Sequence, residues 1–171
     1  MSRLLDFLVR NANNKRVMAT LRCGLVKTTE MRAWSLLAPL GGIGDRQDAV
    51  AVRTVAGLFA MHPQNSNSGN MGTVCRLLCG SDERPWENSS GTNDGPGPME
   101  RRFLYLLNAD RDEICGRVCR IVRYAQSSGI PVNYAALEKD LAKWPQAREK
   151  WALEFWTVKE DNAAETEGTS L

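Results

Sequence analysis

The chain has a single histidine, His62. It stands just before Pro63 at a helix end, so no Ser/His/Asp order can be built around it, and a surface or capping role is expected. No phosphate-cradling glycine loop and no dinucleotide fingerprint occurs. No apolar run approaches the length of a membrane span, so no membrane partner is expected. Met1–Arg10 carries Arg3, Asp6 and Arg10 and lacks the long apolar stretch of a secretory leader. The five cysteines are odd in number. Without a leader they are expected to be reduced thiols, and the chain cytoplasmic. Alternating apolar and polar runs are missing, which leaves little room for strands. No internal repeat is visible.

What remains is helical spacing in a chain of ordinary globular composition, 43% hydrophobic and 25% charged over 171 residues. That length allows one large domain or two small ones with a real core. Leu4, Leu5 and Leu8 mark a first helix. Val17, Met18, Leu21 and Leu25 mark a second, and residues 31–37 a third. Pro39-Leu40-Gly41-Gly42 breaks the chain. A long helix is expected from about Asp45 to Met61, with Val52, Val55, Ala56 and Phe59 on one face. After the polar 63–70 loop, Val74, Leu77 and Leu78 mark another helix.

Residues 81–98 are mostly turn formers and polar residues, with Trp86 the main exception. They read as a flexible linker or loop. Beyond it a helix spans residues 99–107. Asp110, with Glu113 three residues later, makes a capping box for the next helix. Ile114, Val118, Ile121, Val122 and Ala125 form its apolar stripe. Asn133 caps a helix burying Leu137 and Leu141. Pro145 is expected to open the last helix, with Ala147, Trp151 and Phe155 four residues apart. The fold class is all-α: two small helical bundles, 1–80 and 99–158, joined by a flexible loop at 81–98. A disordered acidic tail, 159–171, follows.

Net charge is +2, but its distribution is uneven. Residues 1–32 carry seven Lys/Arg against Asp6 and Glu30, and residues 101–123 carry six arginines against three acids. From Glu138 onward the balance reverses, with five bases and eight acids. Such asymmetry makes a basic face that the total conceals. Arg117 has Glu113 four positions before it, a structural pairing. Arg120, Arg123, Arg22 and Arg16 have no acid within helical reach. Arg101 and Arg102 open a helix, where the macrodipole disfavours cations, and only Glu100 lies beside them. Arg117, Arg120 and Arg123 share one side of their helix, away from the core. An external polyanion would relieve their repulsion, although tertiary acids would do the same.

Two chemical constellations compete with bland readings. Asp110, Asp112 and Glu113 resemble a metal-dependent nuclease cluster, but the capping box already explains two of them. Cys75/Cys79 and Cys115/Cys119 are i,i+4 pairs that could make a four-thiolate zinc site. Cysteine is also a common small buried helix residue, and the short CxxC knuckle is missing. No catalytic residue, metal or cofactor is expected.

Arg101-Arg102-Phe103-Leu104, Leu106-Leu107 and Ala109-Asp110-Arg111 resemble a signature of the CasB family. Its members are the small subunits of Cascade, the type I-E CRISPR surveillance complex. The likeness continues through Val118-Cys119-Arg120-Ile121-Val122-Arg123, Gly129-Ile130-Pro131-Val132 and Leu141-Ala142-Lys143-Trp144, to Trp151-Ala152-Leu153-Glu154-Phe155. More loosely, Leu21-Arg22-Cys23-Gly24-Leu25 is similar to the family's Leu-Arg-Arg-Gly-Leu segment. Ala33-Trp34, the Leu58–Pro63 helix end and Gly72 through Leu77 fall in the expected order. Residues 12–158 are covered. Cys23 and Cys119 stand where the family often has one of two paired arginines, which implies a sparser basic surface. The 81–98 insertion also departs from the compact connection common in the family.

The resemblance implies a helical, non-catalytic subunit that helps hold an R-loop open. Its partners would be the other Cascade subunits and guide RNA, the displaced (non-target) single DNA strand, and a second copy of itself. By motif position, Arg22, Arg46 and Arg120 are the leading nucleic-acid contacts. Arg46 follows the Gly41–Asp45 turn, where the family has a basic residue opening its long helix. Lys27, Arg76, Arg101 and Arg123 come next. The competing expectation is a helical protein–protein adaptor whose basic face meets an acidic partner.

Overall fold

The computed structural model describes residues 2–87 and 95–157. Every regular element among the described residues is helical, as expected, and loops and turns join them, with one isolated β-bridge between Asn65 and Val132. α1 (Arg3–Asn11) buries Leu4, Leu5 and Leu8, and the Leu5 amide donates to the Ser2 hydroxyl at 3.1 Å. α2 (Lys15–Arg22) is capped by Asn14, which accepts from the Val17 amide at 3.1 Å. The expected continuation to Leu25 instead tightens into a 3-10 turn, Cys23–Leu25. Gly24 is buried there, and a Cβ on it would meet Arg53 Cγ at 3.3 Å. The third expected helix is also broken. A 3-10 turn, Glu30–Ala33, leads into a short α3 (Trp34–Leu37), and Ala38–Leu40 ends at left-handed Gly41.

α4 (Gln47–Met61) is the central helix. Residues 51–60 are all buried, so its apolar face is wider than the expected stripe. The reason is tertiary: α1, α2, α7 and α8 all pack against it. Arg53 lies inside this packing. Its guanidinium donates to the carbonyls of Gly42 (2.9 Å) and Gly44 (3.2 Å) and pairs with Glu30 at 3.3 Å. A buried charge needs such a full set of partners.

α5 (Met71–Leu78) begins at a capping box formed by Asn70 and Thr73. α6 (Pro98–Leu107), α7 (Ile114–Ser128), α8 (Tyr134–Ala142) and α9 (Arg148–Trp156) complete the order. Pro145 does not open α9. It lies in the preceding turn, where buried Trp144 donates from Nε1 to the Ala109 carbonyl at 2.9 Å. Arg111 Nε also donates to the Trp144 carbonyl, at 3.1 Å, which holds this segment outside the helix.

α5 packs on α6, α7 and α9, while α4 packs on α7 and α8. Residues from both sides of the 81–98 segment therefore enter one hydrophobic cluster. Leu8, Leu21, Leu37 and Phe59 belong to it, as do Phe103, Trp144, Trp151 and Phe155. His62 closes α4, its amide donating to the Leu58 carbonyl at 2.9 Å, but it is buried rather than on the surface. The 129–133 loop covers it, with Ile130 O 2.6 Å from Nε2.

The described ends of the 81–98 segment are pinned. The Glu83 carboxylate accepts from the amides of Met99 (3.2 Å) and Glu100 (2.9 Å), capping α6. Trp86 meets Phe155 edge-on at 6.5 Å. Residues 88–94 and the expected tail at 159–171 lie outside the described residues. No helix among the described residues is long and apolar enough to cross a membrane.

Candidate nucleic-acid interface

α7 sets the geometry of the basic face. The Asp110 carboxylate accepts from the amides of Asp112 (2.9 Å) and Glu113 (3.0 Å), which turns the chain into the helix. Gly129, with φ of 66°, ends it in the left-handed conformation. Ile114, Val118, Ile121, Val122 and Ala125 are buried, so Arg120, Arg123 and Tyr124 are left outside. On α6, Met99, Phe103 and Leu106 are buried, which turns Arg101, Arg102 and Tyr105 outward. Between the two helices runs an open groove of about 450 Å³. Arg102, Tyr105, Arg117, Arg120, Arg123 and Tyr124 line its walls.

The four arginines of this groove are not equivalent. Arg117 is spent within the fold. It pairs with Glu113 at 2.7 Å, donates to the Tyr105 carbonyl and lies 3.7 Å from the Tyr105 ring centre. Its side chain is 12% exposed. Arg102 is exposed and lies 4.7 Å over the Tyr124 ring. Arg120 and Arg123 are exposed, and among the described residues neither guanidinium has a hydrogen bond or an ion pair. Two cations on adjacent turns with no ion-pair partner among the described residues leave a local field open to an anion.

The other expected contacts are dispersed. Arg22 ends α2, exposed, with Nε donating to its own helix at Met18 O, 3.3 Å. Lys27 is exposed in the turn after Leu25. Arg46 precedes α4 and pairs with Asp48 at 3.3 Å, both side chains largely in solvent. An exposed pair of this kind holds an arginine only weakly. Arg101 is exposed on α6 but does not line the groove. Arg76 is half-buried and engaged. It donates to the carbonyls of Glu154 (3.3 Å) and Thr157, and lies 4.2 Å over Trp86.

The structure thus joins Arg120 with Arg123 in one groove and places Arg22, Lys27 and Arg46 on other elements. It brings Arg102 and Tyr124 into the same groove and adds Tyr105, which residue spacing alone does not single out. Tyr124 four residues after Arg120 was a visible signal, but its facing partner on α6 is tertiary.

No group of three or more His, Cys, Asp or Glu side chains is placed to hold a metal among the described residues. Burial pushes the Cys119 thiol up to about 11 and the Cys79 thiol up to about 12, and raises those of Cys75 and Cys115. Burial favours the neutral thiol at each of these positions. The described cysteines are all unpaired.

Residues 17–156 match the family model for CRISPR-associated protein Cse2. A Cse2 protein of Thermus thermophilus is 30% identical over 131 residues, 73% of this chain and 68% of that protein. The fold superposes on the crystal structure of CasB from Thermus thermophilus with a TM-score of 0.69, at 25% identity, covering 90% of this chain and 96% of that one. It also superposes on a chain from the structure of a CRISPR RNA-guided surveillance complex, TM-score 0.67, covering 90% and 91%. That likeness, at 18% identity, speaks to fold alone. With its helical core and most of its length matched, this chain belongs to the CRISPR-associated Cse2 family.

Proposed function

We propose that the chain is a non-catalytic subunit of a type I-E CRISPR RNA-guided surveillance complex, where it stabilises the R-loop by holding the displaced DNA strand. The observation that carries this reading is the α6–α7 groove, with Arg120 and Arg123 exposed and unpaired among the described residues. Family membership and the shared fold support the complex as its setting. Strand exchange between a DNA duplex and an RNA–DNA hybrid is nearly balanced, so modest contacts to backbone can tip it. Guanidinium groups on packed helices suit that work, because they bind phosphates without reading bases. Arg22, Lys27, Arg46 and Arg101 extend the basic surface toward the guide RNA, the strand or neighbouring subunits. Exposed Met31, Leu77 and Leu153 are side chains available to those subunits and to a second copy of the chain. The protein acts in the cytoplasm, where guide and target meet.

Arg120→Ala tests the reading in the assembled complex. R-loop retention should fall about equally across target sequences. The slope of log affinity against log salt should drop by roughly one unit if one phosphate contact is lost. Unchanged retention at several salt concentrations removes Arg120 from the interface. An adaptor whose basic face meets an acidic protein predicts the opposite pattern: normal R-loop lifetime and a weakened protein partner.

A further inference from the structure

We propose that the α6–α7 groove takes an unstacked nucleobase against Tyr105 and Tyr124 while Arg120 and Arg123 hold flanking phosphates, so that its ligand is a single strand and not a duplex. This rests on the phosphate-holding reading and deepens it. Phosphate alone would call for cations. The groove also presents two tyrosine rings from adjacent helices, 53% and 43% exposed. Neither ring stacks on another aromatic among the described residues. Each instead has a guanidinium over it: Arg117 lies 3.7 Å from the Tyr105 ring centre and Arg102 4.7 Å from that of Tyr124, and both arginines line the groove with the rings. A cation over a ring fixes its orientation without burying it.

Arg117 is itself locked by Glu113 at 2.7 Å, so the Tyr105 wall is rigid. The groove volume, about 450 Å³, is that of a small-molecule cleft. Leu106 and Ile121, both buried, add apolar lining to the same groove. Rigid rings beside cations unpaired among the described residues form a stacking platform for single strands, tolerant of sequence because every base has a π-face. Duplex bases are already stacked on each other and cannot reach such rings.

Tyrosine-labelled full-length chain can be titrated with a short oligothymidylate and with an abasic strand of equal length, and followed by NMR. The chain has three tyrosines, and buried Tyr134, bonded to Leu58 O at 3.3 Å, is an internal control. The ring signals of Tyr105 and Tyr124 should move upfield with the thymidine strand and much less with the abasic one, while Tyr134 stays still. Tyr124→Leu should weaken the thymidine strand by about fivefold or more and leave the abasic strand unchanged. Tyr124→Phe, which keeps the ring, should bind like the parent. Equal affinity for both strands, unaltered by Tyr124→Leu, overturns stacking and leaves the phosphate reading standing. Binding of neither strand overturns both and gives the groove to a protein partner.

Discussion

At the residue scale, what separates one arginine from another is the partner each has found. Arg117 was legible in the sequence because its acid, Glu113, lies one helical turn away. Arg76 was not, since its acceptors lie 78 and 81 residues downstream. Arg53 was likewise hidden, because the carbonyls and carboxylate around it come together only when the turns at 30–44 fold over α4. Arg76→Ala and Arg120→Ala should therefore part company. The first removes two backbone contacts and a stack on Trp86, and should lower stability by roughly 1–2 kcal/mol in chemical denaturation. The second should change stability by less than about 0.5 kcal/mol. Similar losses for both would mean that Arg120 has a partner within the fold.

At the element scale, helices with one apolar stripe were readable, and helices shaped by several neighbours were not. The α7 stripe and the Asn133 cap of α8 follow from spacing and local chemistry. The all-round burial of α4, the fragmentation of the 30–40 segment and the turn at Pro145 depend on what packs against them. The α5–α9 contact is set by one missing side chain. A Cβ on Gly72 would fall 2.2 Å from the Trp151 carbonyl oxygen, which is backbone and cannot rotate away. Gly72→Ala should push these helices apart and lower stability by about 1–3 kcal/mol. A thermal midpoint equal to the parent's would show that the helices are not so closely apposed.

The cysteines on α5 and α7 add a pH dependence. Burial favours the neutral thiol, so the folded pKa lies above the ordinary value of 9.0. That stabilisation is complete below 9.0 and is lost as pH rises toward about 11 for Cys119. Unfolding midpoints should thus hold steady in neutral buffer and fall in alkali. Cys119→Ala should reduce the fall relative to the parent, which removes the shared effect of other alkaline groups. Identical alkaline profiles would mean that Cys119 is not shielded from water.

At the scale of the whole molecule, residues on both sides of the 81–98 segment share one core, and that shared core brings the face of α6 against that of α7. The order of motifs along the chain was enough to suggest the CasB family. It could not show that two tyrosines and two arginines unpaired among the described residues would meet in one groove, because spacing reports one helix at a time. A near-neutral protein can in this way present a local basic surface. The most direct measurement is photocrosslinking in the assembled complex, with bromodeoxyuridine placed along the displaced strand and the attached peptide located by mass spectrometry. The strand should attach to peptides of α6 or α7 that carry Tyr105 or Tyr124. Attachment confined to other helices, or to other subunits with none to this chain, would contradict the assignment.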